Sequence, residues 1–305
     1  MKSKHILQIV LLSAAWGVSF LMMRIAVVTF PPLWIAMLRC ALGASLLCVV
    51  LFIGGQRMPP RRLWPWLLTI AFFNNVVPFT FFAWGELTVP SNIAAVLNAT
   101  VPIWTLLLAM TLQRSAVGLR TIVGVVLSFA GVLLVVLTHR GETASGGKSE
   151  GMMFGLIIIV IATMSYAIAT HLAKVKLQGL DPIGLATTQL CLSTAMLLPL
   201  ALAGEWPSPL HLAPVAAIAV LGFAGSGIAY LLYYSLLAHV SATQVVAVTY
   251  LLPVWGLFWG LFAHEAIGWI ACAGVAITIA GLIVLNRRPK TQTAAAAGTR
   301  TASSS

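Results

Sequence analysis

"VPSNIAAVLNATVPIW" at residues 89–104 and "VSATQVVAVTYLLPVW" at 240–255 align without a gap at an offset of 151, so that Pro102 falls on Pro253 and Trp104 on Trp255. Self-similarity at a fixed period decides an architecture before any single residue does. The match extends outward. At an offset of 150, Pro32 falls on Pro182, Trp16 on Tyr166, Arg39 on Gln189, Gly124 on Gly274 and Gly131 on Gly281. The chain is a duplication.

What is duplicated is a membrane segment. Of 305 residues, 60% are hydrophobic and only 8% are charged, with a mean hydropathy of +1.02. An ordinary globular chain is about 25% charged. A water-soluble protein with six acidic residues would leave most of its surface apolar and aggregate, and a disordered chain is poor in hydrophobics. The net charge of +11 does not indicate nucleic acid, because the basic residues sit in short clusters between apolar runs instead of along one face. Cys40, Cys48, Cys191 and Cys272 lie inside apolar runs and match no metal or redox spacing.

A bilayer takes about 20 apolar residues per helix. The charge-free runs, with Arg24 and Arg39 allowed near span ends, give ten helices: 6–28, 33–54, 64–84, 91–112, 118–138, 151–173, 182–203, 211–236, 242–263 and 266–286. The run from 206 to 264 holds two of them, divided at Ala238-His239-Val240-Ser241. The runs are continuous, so β-barrel alternation is absent. With the N-terminus in the cytoplasm, thirteen Lys and Arg fall in inner segments and only Arg140 and Lys148 in outer loops, a decisive positive-inside bias. Both termini are then cytoplasmic. The first span is too long for a signal peptide and lacks a small-residue cleavage site. Five crossings per half is an odd number, so the second half runs opposite to the first, an arrangement found in secondary transporters with a midplane site between the halves.

These residues carry a resemblance. "SAAWGVSF" (13–20), "LRCALGASLL" (38–47), the "VPIW" and "LPVW" segments, and "GVVLSFAGVLLVVL" (124–137) with "GVAITIAGLIVL" (274–285) resemble the EamA domain, the repeated five-helix unit of the drug/metabolite transporter superfamily. The resemblance implies an all-α integral membrane protein of ten helices. The chain then divides into a first repeat at 1–138, an outer linker at 139–150, a second repeat at 151–286 and a cytoplasmic tail at 287–305, whose Ala/Thr/Ser-rich end without periodicity reads as disordered. The resemblance also implies transport, often export, of amino acids, related metabolites or drugs. The second copy departs from the first at Tyr166 and Gln189, so the halves are not equivalent in function.

No catalytic set competes with that reading. "GGKS" (146–149) has Glu142 where a phosphate loop needs glycine, and His264-Glu265 lacks the second histidine of a metalloprotease helix. Neither a cofactor nor a metal is expected. An integral membrane enzyme and a channel are the rival classes.

Ionisable residues within a span are costly and point to function. Arg39, about two turns into the second helix, reads either as an anion-pairing residue, since its fork suits a carboxylate, or as a structural partner of backbone carbonyls or of Glu86. Arg24 and His171 read as snorkelling or capping residues. Trp16, Asn74, Asn75, Asn98, Thr100, Ser165, Tyr166, Ser226, Tyr230, Thr249 and Tyr250 fall near span centres, where tryptophan and tyrosine cannot be a headgroup belt. Pro78, Pro102 and Pro253 free the carbonyls of Asn74, Asn98 and Thr249. The expected cavity lining is Trp16, Asn75, Phe79, Asn98, Trp104, Tyr166, Tyr230, Tyr234, Tyr250 and Trp255. Gly124, Ser128 and Gly131 match Gly274, Thr278 and Gly281 as a close-packing face, which either joins the halves or pairs two protomers as a homodimer through helices 5 and 10.

The expected substrate is a neutral, zwitterionic or hydrophobic small molecule, because the midplane supplies no fixed countercharge for an ionic one, although Arg39 could serve an anion from the outer half. Export of apolar or aromatic amino acids leads, with a drug or a sugar-derived metabolite as the alternative. The expected location is the cytoplasmic membrane, with the lipid bilayer as surroundings. Reporter fusions at Gly146 and after Ser305 are expected to read outside and inside respectively. Both on one side would remove the inversion.

Overall fold

The computed structural model describes residues 3–113, 118–143, 149–239, 247–263 and 268–286. The glycines of 146–147, His264-Glu265, the first part of the second repeat motif (240–246) and the tail 287–305 lie outside them. The described residues are helical, with no strand among them. Eight helices are long and apolar enough to cross a membrane: α1 (Ser3–Ala26), α2 (Pro32–Ile53), α3 (Arg61–Gly85), α4 (Ser91–Leu112), α5 (Leu119–Leu137), α6 (Gly151–Lys176), α7 (Pro182–Ala203) and α8 (Leu212–Leu236). Two shorter apolar helices, α9 (Val248–Phe262) and α10 (Trp269–Leu285), lie where the ninth and tenth spans are expected.

Local signals set the boundaries. Pro32 and Pro182 open α2 and α7 in the first helical turn, where a missing N–H costs nothing. Asp181 caps α7, its Oδ1 accepting from the Gly184 N–H at 2.8 Å. Gly55 and Gly179 take positive φ in the turns beside these helices. The expected linker at 139–150 includes residues 144–148, which lie outside the described residues. Helix α5 continues to Thr143 and α6 begins at Ser149, because crossing takes about 20 residues and no proline stops the helix once it leaves the apolar zone.

Beside a largely apolar core, burial departs from that of a soluble protein. Large apolar side chains such as Phe52, Val126, Leu133 and Phe154 are exposed, whereas Ser13, Arg39, Asn75, Thr187, Gln189, Ser193, Ser226 and Thr278 are buried. Many of these hydroxyls are satisfied by their own helix. In α7, Thr187, Thr188, Ser193 and Thr194 each donate to the carbonyl four residues earlier at 2.7–2.8 Å.

The packing repeats itself under exchange of the halves. Helix α1 packs on α8 and α9, and its counterpart α6 packs on α3 and α4. Helix α2 meets α8, and α7 meets α3. In each self-equivalent pair, α2–α7, α4–α9 and α5–α10, the two helices pack on each other. Along α5–α10, Gly124 lies against Gly281 and Leu285, and Gly131 against Gly274 and Thr278. The start of one helix meets the end of the other, so the two run antiparallel, as inverted repeats require. The small-residue stripe therefore joins the halves within one chain, the first of its two readings.

A Cβ added to Gly131 or Gly281 would come closer than 3 Å to the facing helix's backbone, whereas one added to Gly118 meets nothing within 4 Å. Overpacking of this kind costs about 1–3 kcal/mol. Gly131→Leu and Gly281→Leu are expected to lower the unfolding temperature of the purified protein in detergent, and Gly118→Ala to leave it unchanged. Equal stability of all three variants would contradict the α5–α10 contact.

Candidate functional site

Two helices change pitch at the same repeat position. In α3, residues Phe72–Val76 are π-helical, and in α8 so are Val220–Ile228. The offset of 150 carries the first segment into the second. Pro78 explains α3, since it cannot donate to the Asn74 carbonyl. In α8 there is no proline in the segment. Gly222, Gly225 and Gly227 instead let α2 and α1 approach: a Cβ there would run into Leu42, Ser19 and Leu46 respectively. Segments of this pitch are rare and concentrate at functional sites.

Each π segment is met by the equivalent residue of the other half. Arg39, on α2, donates from Nε to Ser226 Oγ at 3.0 Å and from Nη2 to the Gly225 carbonyl at 3.4 Å. Ser226 Oγ in turn donates to the Leu221 carbonyl at 3.3 Å. The Phe79 ring lies 4.0 Å from the guanidinium carbon. Gln189, on α7, accepts at Oε1 from Asn74 Nδ2 at 3.3 Å. The same amide nitrogen faces Asn75 Oδ1 and the Tyr230 hydroxyl, both at 3.3 Å. Tyr230 donates to Asn75 Oδ1 at 3.0 Å, and Asn75 Nδ2 donates to Ser193 Oγ at 3.1 Å. Both halves thus contribute to one hydrogen-bonded network near mid-span. Asn75 is fully buried within it, while Asn74, Tyr166, Tyr230 and Tyr234 are half-buried.

The expected lining residues divide by location. Asn75 and Tyr230 belong to this network, Phe79 lies against Arg39, and Tyr234 lies tilted beside Tyr230 with ring centroids 6.2 Å apart. Tyr166 lies within electrostatic range of Arg39. Trp16 adjoins through Tyr233, at 5.8 Å. Helix α4 is broken at Ala99-Thr100, between Ser91–Asn98 and Val101–Gln113, and Asn98 Oδ1, at the break, meets no hydrogen-bond partner among the described residues. Helix α9 carries Pro253 without breaking. Trp104 packs edge-on to Phe129 of α5 and donates to Thr100 Oγ1. Tyr250 donates to the Leu282 carbonyl of α10. Trp255 lies on α1, its Nε1 donating to Ser13 Oγ at 3.0 Å and its side chain filling the space over Gly17. These last three are therefore spread along α4 and α9 and away from the network.

The sequence list omitted Gln189, Asn74, Ser193, Gly225 and Ser226. Asn74 and Ser226 were visible as midplane polar residues, and Gln189 as the counterpart of Arg39. Ser193 and Gly225 carry no signal of their own. Arg24 acts as a cap, donating from Nη1 to the Glu86 carbonyl at 2.8 Å. Among the described residues, no three His, Cys, Asp or Glu side chains gather where they could hold a metal ion.

Comparison with known proteins agrees with the two-half organisation. The EamA-like transporter family matches at residues 3–137 and again at 153–287. An uncharacterized transporter of Archaeoglobus fulgidus is 25% identical over 280 residues, covering 90% of this chain and 95% of its own. The uncharacterized inner membrane transporter YedA of Escherichia coli K12 is 29% identical over 249 residues, covering 78% and 76%. A crystal structure described only as that of a protein shares the fold with a TM-score of 0.65 at 18% identity, covering 94% of this chain and 99% of its own.

Asn75 is the hub of the buried network. Removing its amide takes away the acceptor of the Tyr230 hydroxyl and the donor to Ser193 Oγ, and losing buried polar contacts of this kind costs about 1–3 kcal/mol. Asn75→Ala is expected to lower the unfolding temperature more than Tyr230→Phe, which removes donor and ring hydroxyl together. The reverse order would place the hub elsewhere.

Proposed function

Because the chain belongs to the EamA-like transporter family, we propose that it exports amino acids, apolar and aromatic ones among them, by alternating access through a cavity between its halves. The carrying observation is the mid-span network, to which α3 contributes Asn74 and Asn75 and the second half Gln189, Ser193 and Tyr230. Amides, hydroxyls and an edge of Arg39 suit a zwitterionic head group. Phe79, Tyr166, Tyr230 and Tyr234 suit an apolar side chain, in keeping with pockets that are mostly apolar with a few placed polar groups. Trp16, Asn98, Trp104, Tyr250 and Trp255 extend the lining along the path that the substrate follows.

Both termini face the cytoplasm in this reading, supported by the thirteen-to-two distribution of Lys and Arg, and the printed description of YedA favours an inner membrane. Direction out of the cell is what the family resemblance implies. Proton-coupled pumps place Asp, Glu or His within the membrane to carry the proton. The mid-span network contains none, so the substrate moves down its own gradient.

Uptake and efflux of a panel of labelled amino acids in liposomes containing the purified protein test this. Apolar and aromatic amino acids are expected to equilibrate with no dependence on an imposed pH gradient. Several-fold stimulation by the gradient would overturn the uncoupled mechanism. Movement of lipophilic drugs or sugars with no amino acid moving would overturn the substrate class.

A further inference from the structure

Arg39 and Gln189 occupy equivalent positions, each meets the π segment of the other half, and they differ in charge. Arg39 is 7% exposed, and all its short-range partners are neutral: a hydroxyl, a carbonyl and an aromatic face. Glu86 adds only a longer-range attraction. Among the described residues, Arg39 Nη1 makes no hydrogen bond; the two bonds of the guanidinium come from Nε and Nη2. A cation in a low-dielectric interior with neutral partners and an open edge favours an anion at that edge, and the guanidinium fork matches a carboxylate.

The Gln189 side is complementary. Asn74 Nδ2 lies 3.3 Å from three acceptors, Gln189 Oε1, Asn75 Oδ1 and the Tyr230 hydroxyl, which share its two hydrogens, while the side-chain oxygen Asn74 Oδ1 accepts from no described residue. That oxygen, with Gln189 Oε1 beside it, is an uncharged acceptor set of the kind that holds an ammonium. The two ends are close: Phe79, which lies under Arg39, is five residues beyond Asn74 on α3, a rise of about 7 Å, a span that the two hydrogen-bonded ends of one small zwitterion bridge.

We infer that the site is polarised across the two halves. Arg39 with the α8 π segment takes the substrate carboxylate, Asn74 with Gln189 takes its ammonium, and the aromatic residues take the side chain. This rests on the amino-acid reading above and deepens it: the free α-amino acid is read at both charged ends, and Arg39 and Asn74 are the specificity-determining residues.

The test compares leucine with isoamylamine, which lacks the carboxylate, and isocaproate, which lacks the ammonium. Leucine is expected to raise the unfolding temperature of the purified wild-type protein, and neither analogue at the same concentration. In liposomes, excess unlabelled leucine is expected to compete with labelled leucine about tenfold better than either analogue, the scale of a charge-assisted bidentate contact. Arg39→Gln is expected to abolish the preference over isoamylamine, with Arg39→Lys restoring part of it. Asn74→Leu is expected to abolish the preference over isocaproate. Wild-type protein that moves leucine but is stabilised equally by isoamylamine, or an Arg39→Gln variant that keeps the leucine-to-amine ratio, would overturn the polarity and leave amino-acid transport standing. Wild-type protein that moves no amino acid would overturn both.

Discussion

In the apolar part of a bilayer, a peptide group that leaves the helical ladder must find its partner inside the protein. Everything distinctive about this chain follows from where that requirement is met in unusual ways. The helices depart from regular pitch at three places: α3 and α8 widen to π pitch, and α4 breaks at Ala99-Thr100. At α8 the irregularity is answered by a side chain, since the Gly225 carbonyl lies against Arg39. At α4 it is answered locally, with Ile103 and Trp104 both bonding back to the Thr100 carbonyl and the Thr100 hydroxyl donating to the Leu97 carbonyl. An irregular backbone and a polar interior are one feature seen twice.

The fold was legible because membrane helices leave a coarse signal. Charge-free runs of span length, the offset of 150 between Pro32 and Pro182, and glycine matches such as Gly131 with Gly281 are independent of how each helix is rotated. What stayed hidden is set by neighbours. Pro78 announces the irregularity of α3, but "VLGFAGSGI" in α8 reads as an ordinary small-residue stretch. Its pitch goes with the close approach of Leu42 and Leu46 from α2 and Ser19 from α1, and no local pattern encodes that. The extension of α5 to Thr143 was missed for a simpler reason: hydropathy marks where the bilayer ends, which is not where a helix must end.

The site was half legible. Residue type and depth pointed to Asn75, Phe79 and Tyr230, which the structure brings together. The same reasoning also selected Tyr250 and, extended one or two turns along the helices, Trp104 and Trp255, whose phenol and indole groups are satisfied at helix contacts with Leu282, Thr100 and Ser13. The difference is helix rotation, which a helix apolar on all sides does not reveal. Ser193 illustrates the limit. It is a serine in an apolar helix, bonded to its own Gln189 carbonyl like its neighbours Thr187, Thr188 and Thr194, yet it alone of the four is also met by Asn75.

A duplicated scaffold gives two equivalent sets of positions around one axis, and a small asymmetric substrate cannot bind both sets equally well. Identical halves would present it with two half-sites of the same charge, each wrong for one of its ends. In the proposed site, the position shared by Arg39 and Gln189 avoids this at little structural cost. Both side chains reach the π segment opposite and both are buried, so the packing of α2 against α8 and of α7 against α3 is preserved under the exchange. The aligned position marked by a change of residue, not the positions that match, is therefore where a duplicated fold acquires direction along its own axis.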